Sequence, residues 1–232
     1  MPTAVLTGCN SGIGNRWAKI LIKEGYKVYA LDMTEGDALK ALAGDKCKIA
    51  QVDVTKPDSI AKFKQLIGDE PVDVLVNIAG IMIDPKLDTR ETVNLEVMQK
   101  SFAVNAYGPV LLTQALLPNV LKAPAPRRIG VISSRVGSIA DNSSGTMYAY
   151  RASKGAVNNF FKTFAVELKE DDVIVTMLHP GFTNTNLNPD IAKIPEVVEP
   201  EVAAAGLWKV VRETTMENTG KFWHREGHEL LF

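Results

Sequence analysis

Tyr150 and Lys154 are the two residues of this sequence whose types and spacing best suit acid/base chemistry. A phenol has a pKa of about 10 and is a poor base at neutral pH, but a neighbouring ammonium stabilises its phenolate form. Positions i and i+4 share one face of a helix, whereas Tyr148 and Lys154 do not. We therefore predict that Tyr150, and not Tyr148, is the phenol paired with Lys154. The alternative is a chance spacing on a solvated helix.

A glycine-rich loop, "TGCNSGIG" (residues 7–14), follows the first predicted strand and carries glycines at positions 8, 12 and 14. Glycine permits a tight turn and a close approach of the backbone to a pyrophosphate, which the amides that open the next helix then face. The spacing matches the usual dinucleotide motif only loosely, and an ordinary turn between strand and helix is the alternative. Its place after the first strand favours nucleotide binding, with Cys9 facing the adenosine half.

Asp32 ends the second predicted strand. A carboxylate at this position accepts hydrogen bonds from the adenosine ribose and repels the 2′-phosphate of NADP. Neither Ser11 nor the pair Met33–Thr34 supplies a positive charge for such a phosphate. The sequence therefore predicts NAD as the cofactor, with NADP less favoured, unless Asp32 merely ends a strand.

Short runs rich in β-forming residues alternate with longer segments of helical spacing along the whole chain. The runs are residues 4–7, 27–31, 47–52, 72–77, 128–133, 173–178 and 221–224, and the helical segments are 12–24, 35–43, 58–67, 95–121, 148–169 and 201–214. Apolar strands that alternate with helices predict a parallel sheet with right-handed crossovers. We expect one doubly wound, Rossmann-type α/β/α domain over residues 1–232, with its ligands beyond the carboxyl ends of the strands.

Several further motifs accompany the glycine loop and the Tyr–Lys pair: "NIAG", "VNAYG", "SS", "YRASK" and "HPGFTNT". Together they make the chain resemble the short-chain dehydrogenase/reductase family over essentially its full length. The stretch "SSRVGSIADNSSGTMYAYRASK" and the tail "TGKFWHREGHELLF" resemble most the C-factor/sniffer-like branch, which adjoins the carbonyl reductases.

The resemblance implies a role for each matching residue. Tyr150 would be the general acid/base, Lys154 would lower its pKa and bind the nicotinamide ribose, Ser134 would hydrogen-bond the substrate oxygen, and Asn105 would hold a water in a proton relay. The cofactor-binding residues expected from the motifs and strand ends are Gly8, Ser11, Gly12, Ile13, Gly14, Asp32, Asp53, Val54, Asn77, Ala79, Gly80, Tyr150, Lys154, Pro180, Gly181, Thr183 and Thr185. The family resemblance also implies a homodimer or homotetramer packed through the helices at 95–121 and 148–169.

The bulk composition excludes several classes of partner. With 26 basic and 27 acidic residues, the chain has no charge excess that would attract nucleic acid or an anionic membrane. Cys9 and Cys47 do not make a disulfide framework, so a reducing, cytoplasmic setting is expected. No metal site is predicted, because His179, His224 and His228 form no ligand spacing with those cysteines.

These observations predict an NAD(H)-dependent oxidoreductase that interconverts an alcohol and a carbonyl on a small molecule. Two alternatives stay open: an NADPH-dependent carbonyl reductase, and an NAD-binding regulatory protein with little turnover. The proline-punctuated segment 186–200 is expected to form a small lid over an open, mostly apolar pocket.

Overall fold

The computed structural model describes residues 1–188, 191 and 195–232, and its strands form one eight-stranded sheet. The order is β3-β2-β1-β4-β5-β6-β7-β8, in which all neighbours are parallel except β7 and β8. The strands are β1 (Thr3–Thr7), β2 (Lys27–Asp32), β3 (Cys47–Gln51), β4 (Val74–Asn77), β5 (Arg127–Ile132), β6 (Val173–His179), β7 (Lys221–His224) and β8 (Glu229–Leu230). Between β1 and β4 the order reverses direction, which makes a crevice at the carboxyl ends.

Helices cover both faces of this sheet. They are α1 (Gly12–Lys23), α2 (Asp37–Lys40), α3 (Pro57–Ile67), α4 (Leu95–Phe102), α5 (Gly108–Lys122), α6 (Tyr148–Glu167) and α7 (Pro200–Glu213). Two hydrophobic cores result, and consecutive residues of a strand serve opposite ones: Val5 packs with α3, α5 and α6, whereas Leu6 packs with α1 and α7. The prediction of a doubly wound, three-layer fold is confirmed, because strands buried on both faces need a helix layer on each side.

The single helix predicted over residues 95–121 is interrupted. A π-helical segment, Ala103–Tyr107, separates α4 from α5, and the amide of Gly108 donates to the Ala103 carbonyl. Pro109 explains the break, since it has no N–H to donate to the Asn105 carbonyl four residues earlier. The widened turn falls at Asn105, one of the predicted catalytic residues.

The chain ends in a hairpin beside the site, where the sequence predicted only its first strand. Strand β8 pairs with β7, and the terminal Phe232 ring stacks on Phe222 with centroids 6.0 Å apart. The Phe232 carbonyl accepts a hydrogen bond from the Ala140 amide at 3.1 Å. The tail therefore closes over the loop that follows β5.

Two other predicted segments differ in extent from the structure. The helix expected over 35–43 is the single turn of α2, after which a turn at Gly44 leads into β3. Of the predicted lid at 186–200, residues 189–190 and 192–194 lie outside the described part. Within the described residues, no helix has the length and apolar character needed to cross a bilayer.

Candidate active site

A cavity of about 1050 Å³ lies beyond the carboxyl ends of the parallel strands. It is at or above the upper end of the range of about 300–1,000 Å³ that is usual for small-ligand sites, as expected for a dinucleotide plus a small substrate. Every residue predicted for catalysis or cofactor binding lines this cavity except Asn77 and Asn105. The described part of the predicted lid also contributes to the wall, through Leu187, Ile191 and Glu196.

The glycine loop has the shape that a pyrophosphate requires. Gly8 and Gly12 have φ angles of +70° and +49°, in the region that favours glycine. A Cβ on Gly14 would lie 2.2 Å from the Gly8 carbonyl oxygen, so no side chain fits there. The Ser11 side chain makes no capping hydrogen bond at the start of α1, and the first turn has no acidic residue. The amides that open α1 are thus available to an anion, and the loop fits the phosphates of a nicotinamide dinucleotide.

Cys9 does not face the cavity, and the prediction that it faces the adenosine half is wrong. Its side chain is fully buried in the core beneath α1, where the thiol donates to the Leu6 carbonyl at 3.4 Å. Burial raises the pKa of the Cys9 thiol well above its usual range. The residue is a small apolar filler between the loop and the sheet.

Asp32 lines the cavity from the end of β2 and organises the loops around it. One carboxylate oxygen accepts from the Asn10 amide at 2.9 Å and the other from the Thr34 amide at 3.0 Å. Each oxygen keeps a further lone pair for a ligand hydroxyl. Asp32 is therefore held in place by the glycine loop itself, which the sequence did not reveal.

On α6 the two tyrosines of the sequence motif have opposite environments. The Tyr150 side chain is 7% exposed and faces the cavity, whereas Tyr148 is 48% exposed and does not line it. The Lys154 ammonium lies 5.8 Å from the centre of the Tyr150 ring and donates to the Ile132 carbonyl at 2.9 Å. The helical spacing thus brings Tyr150 and Lys154, but not Tyr148, into one site.

Burial governs the ionisation of both groups. It raises the pKa of Tyr150 to about 12, with the hydrogen bond to Ser134 acting in the opposite direction. Burial lowers the pKa of Lys154 to about 8. From the sequence, Lys154 is expected to lower the pKa of Tyr150; in the protein alone, desolvation of the phenolate is the larger effect.

The two serines after β5 are directed differently. The Ser133 hydroxyl donates to the Lys154 carbonyl at 3.4 Å, which ties the end of β5 to α6. The Ser134 side chain lines the cavity together with Tyr150, and its hydroxyl accepts from the Val136 amide at 3.4 Å. Gly137 permits this arrangement, because a Cβ there would lie 2.7 Å from the Lys154 backbone. Ser134 and Tyr150 can therefore bind one substrate oxygen between them.

Asn105 and Asn77 lie behind the cavity wall rather than in it. The Asn105 amide donates to the Ile81 carbonyl at 2.9 Å and to Ser153 at 3.1 Å, and its oxygen accepts from the Ile81 amide at 2.8 Å. A Cβ on Gly80 would lie 3.2 Å from that oxygen, which is closer than most side chains approach a neighbour. The Asn77 amide donates to Thr113 at 3.0 Å beneath the sheet end. Both asparagines hold the strand β4 loop in place.

The hairpin after β7 supplies a wall that the sequence did not predict. His179 and His224 are paired in register, and the His224 and His228 rings stack with centroids 4.5 Å apart. Burial lowers the pKa of His179 to about 3 and also lowers the pKa of His224, so both imidazoles are neutral at neutral pH. Ligand atoms of His224, Glu226 and His228 lie within 4.8 Å of one another. These two histidines therefore group with a carboxylate, and not with the cysteines considered in the sequence. Glu226 is paired with Arg225 at 3.1 Å.

Comparisons with known proteins agree with this geometry. The family model described as short chain dehydrogenase matches residues 2–195. A 1-hydroxy-2-glutathionyl-2-methyl-3-butene dehydrogenase of Rhodococcus sp. (strain AD45) is 34% identical over 229 residues, which cover 98% of each chain. The C-signal protein of Myxococcus xanthus is 34% identical over 160 residues, 69% of this chain and 92% of that one.

Two solved structures are similar throughout. The carbonyl reductase Sniffer of D. melanogaster is 25% identical, with a TM-score of 0.89 over 100% of both chains. An NADPH-bound carbonyl reductase from chicken fatty liver is 26% identical, with a TM-score of 0.87 over 100% of this chain and 99% of that one.

Proposed function

The chain belongs to the short-chain dehydrogenase family, near its carbonyl reductase branch, and from that premise we propose that it uses NAD(H) to interconvert an alcohol and a carbonyl, with Tyr150 as general acid/base. One observation carries the proposal: Tyr150, Ser134 and Lys154 lie in the same cavity as the glycine loop. The Rhodococcus relative is named as a dehydrogenase of a hydroxylated compound, and Sniffer as a carbonyl reductase. These names describe one reaction in its two directions.

Proton transfer is the step that the side chains of this protein would carry out. When bound, a nicotinamide cofactor supplies the hydride donor or acceptor. In reduction, the Tyr150 phenol donates its proton to the oxygen of the carbonyl as the carbon gains hydride; in oxidation, the phenolate takes the hydroxyl proton. The Ser134 hydroxyl orients the substrate oxygen beside the phenol. Because burial raises the pKa of Tyr150 to about 12, the protein alone holds it in the acid form suited to reduction.

Oxidation requires the pKa of Tyr150 to fall. The Lys154 ammonium is the nearest cation on the same helix face, with its nitrogen 5.8 Å from the ring centre. A positive nicotinamide ring adds to its effect, and both favour phenolate. Both amide protons of the Asn105 side chain are used, by the Ile81 carbonyl and by Ser153. A relay water at this residue would therefore bind an oxygen, and we assign it to the Asn105 main-chain carbonyl, to which Pro109 has no N–H to donate.

Preference for NAD over NADP is the finer part of the proposal and rests on Asp32. Among the described residues that line the cavity, the positively charged ones are Lys100, Arg135, Lys154 and Arg225, and none neighbours Asp32 in the chain. The chicken enzyme contains NADPH, and a Brucella melitensis reductase of the same fold contains NADH, so the fold accepts either. A carboxylate at the ribose favours the cofactor without a 2′-phosphate.

The oligomer and the compartment are also proposals. Apolar side chains are exposed on the outer faces of α4 to α6, among them Met98, Leu111 and Phe160, which suits a homodimer or homotetramer. Cys9 and Cys47 are free thiols, consistent with a reducing cytoplasm.

The test is turnover of a panel of alcohols and carbonyls with each of NAD(H) and NADP(H). We expect hydride transfer with at least one pair and a higher kcat/KM with NAD(H). Tight NAD binding without turnover of any member would favour the regulatory alternative, and a preference for NADPH would favour the carbonyl reductase alternative.

A further inference from the structure

The helix that carries Tyr150 begins in a strained segment without a cap of its own. Gly145, Thr146 and Met147 have φ angles of +63°, +59° and +50°, a left-handed conformation that is unfavourable for the latter two. Met147 is the N-cap residue of α6, and its side chain makes no capping hydrogen bond. The first amides of α6 therefore need acceptors from elsewhere, because a helix leaves its first N–H groups unpaired.

Asp88 supplies those acceptors from a different part of the chain. One of its carboxylate oxygens accepts from the Ala149 amide at 2.7 Å, and the other accepts from the amide of Tyr150 itself at 3.0 Å. The side chain is 2% exposed. A carboxylate at a helix N-terminus also interacts favourably with the helix dipole, and such charge-assisted bonds are short and strong.

The segment that leads to Asp88 is itself fixed at two points. Upstream, Ile81 is held by the Asn105 side chain through two hydrogen bonds of 2.8 and 2.9 Å. Immediately before Asp88, a single 3₁₀ turn, Pro85–Leu87, ends with the Asp88 amide donating to the Pro85 carbonyl at 3.3 Å. The carboxylate is thus placed by the segment that forms the far wall of the same cavity.

A second contact holds the strained segment from its other side. The Arg151 guanidinium donates to the carbonyls of Gly145 and Thr146 at 2.8 and 2.9 Å and to the Val136 carbonyl at 3.0 Å. It anchors the loop before α6 to the turn that follows Ser134. Asp88 differs from Arg151 in bonding directly to the backbone of Tyr150.

We propose that Asp88 is a positioning residue that caps α6 from outside and fixes the place of the Tyr150 phenol relative to Ser134 and the substrate oxygen. This inference rests on the proposed function, since it assigns Asp88 to the proton-transfer step. Because Asp88 contacts neither the glycine loop nor the Asp32 region, it should affect kcat and leave cofactor affinity nearly unchanged. Proton transfer demands heavy-atom distances of about 2.6–3.2 Å, so a small displacement of the helix start is costly.

The experiment compares Asp88→Ala and Asp88→Asn with a matched control, Glu91→Ala. Glu91 is a carboxylate of the same loop, but it is exposed and accepts hydrogen bonds from its neighbours Thr89 and Arg90. Three quantities are measured: kcat with KM, the dissociation constant of the dinucleotide, and the hydrogen-exchange rates of the Ala149 and Tyr150 amides. The last two need no turnover, so they separate failure of this inference from failure of the proposed function.

We expect Asp88→Ala to lower kcat by about 10- to 100-fold, the scale of a catalytic group displaced by about 1 Å, with dinucleotide affinity changed less than about threefold. Exchange of the two amides should accelerate at least about tenfold, since their acceptors are gone. Asp88→Asn should recover part of both losses, because it keeps one acceptor oxygen and the side-chain shape. Glu91→Ala should match the wild type.

Two results would overturn the proposal. One is an Asp88→Asn variant, folded with unchanged melting temperature, whose amide exchange and kcat equal those of the wild type. The other is a loss of kcat that Glu91→Ala reproduces, which would make the loop as a whole, and not this carboxylate, responsible. If Asp88→Ala fails to fold, the Asp88→Asn comparison decides.

Discussion

At the scale of single residues, burial shifts the pKa values of Tyr150 and Lys154 in opposite directions. It raises the pKa of the phenol to about 12 and lowers the pKa of the ammonium to about 8. Both shifts favour the neutral form, as desolvation always does. The proposed reaction needs the charged forms at this site, and strongly shifted pKa values of this kind are typical of catalytic groups.

The first prediction separates the two tyrosines of α6. Tyr150→Phe removes only the buried hydroxyl, and we expect kcat to fall by at least two orders of magnitude, because general acid/base catalysis contributes about 10²–10⁴-fold. Dinucleotide affinity should be retained. Tyr148→Phe is the matched control, since Tyr148 is half exposed outside the cavity, and it should keep most of its activity. Steady-state kinetics of both variants decide, and the reverse pattern would refute the assignment.

The second prediction concerns Lys154 and stability. Because its pKa in the folded protein, about 8, lies below the ordinary value of 10.5, the unfolded chain binds more protons between those pH values. The cost of burying the charge is therefore fully present below pH 8 and is relieved as the pH rises toward 10.5. We expect Lys154→Met to be more stable than the wild type at pH 7, by about 1–3 kcal/mol, while losing turnover.

Denaturant unfolding of wild type and Lys154→Met at pH 7 and pH 10 measures this effect. The stability advantage of the variant should shrink at pH 10, where the wild-type lysine is neutral in the folded protein. The raised pKa of Tyr150 works in the other direction above pH 10, but it is common to both proteins. An advantage that is independent of pH would mean that the ammonium is not desolvated.

At the scale of elements, the end of β2 and the glycine loop act as one unit. Asp32 bonds to the amides of Asn10 and Thr34, so the carboxylate that we propose to select the ribose also stabilises the turn into α1. Asn10 in turn accepts from the Leu39 amide at 3.1 Å and connects the loop to α2. Cofactor selection and loop geometry are thus coupled through one side chain.

The third prediction is a change of cofactor preference. Two unit charges at 4 Å interact with about 4 kcal/mol at an effective dielectric of about 20, so wild type should prefer NAD over NADP by about a hundredfold or more in kcat/KM. Asp32→Asn removes the charge and keeps one acceptor for the loop amides. It should narrow the difference in kcat/KM between the two cofactors, chiefly by raising the value with NADP. Asp32→Ala should also lower kcat/KM with NAD, because the loop amides lose the acceptor that holds them in place.

Adding Ser11→Arg to Asp32→Asn supplies a positively charged partner for the 2′-phosphate and should raise kcat/KM with NADP further. The measurement is kcat/KM for both cofactors in the wild type and each variant. A wild-type preference for NADP would remove Asp32 from the role of selector.

At the scale of the whole molecule, the outer faces of α5 and α6 expose apolar side chains. Leu111 and Phe160 are partly exposed there, and Val166 is more so. If a second copy buried this surface, the interface would include α6, the helix that carries Tyr150. Assembly and catalysis would then share α6.

The fourth prediction is that the protein in solution has the mass of at least two chains. The double substitution Leu111→Glu with Phe160→Glu should dissociate it, because burying charges at an apolar interface is unfavourable. Val202→Glu on α7, another exposed apolar position on a different face, is the control and should not. Light scattering coupled to size exclusion reads the mass, and a monomeric wild type would refute the proposal.

The sequence by itself determined the layer architecture, the glycine loop and the pairing of Tyr150 with Lys154. These features depend on local periodicity: apolar runs define buried strands, glycines mark tight turns, and a spacing of four defines a helix face. Residues separated by one turn of helix need no tertiary information to be placed on one face. Tyr150 and Lys154 are accordingly buried together, whereas Tyr148, on another face, is exposed.

Only the tertiary structure decided what surrounds those residues. The core position of Cys9, the grouping of His179 with His224 and the cap from Asp88 all depend on contacts between distant segments. The sign of the Tyr150 pKa shift is of the same kind, because it depends on how much water the fold excludes and not on the neighbouring residue type. Desolvation and long-range hydrogen bonds are properties of packing, and a one-dimensional pattern does not contain them.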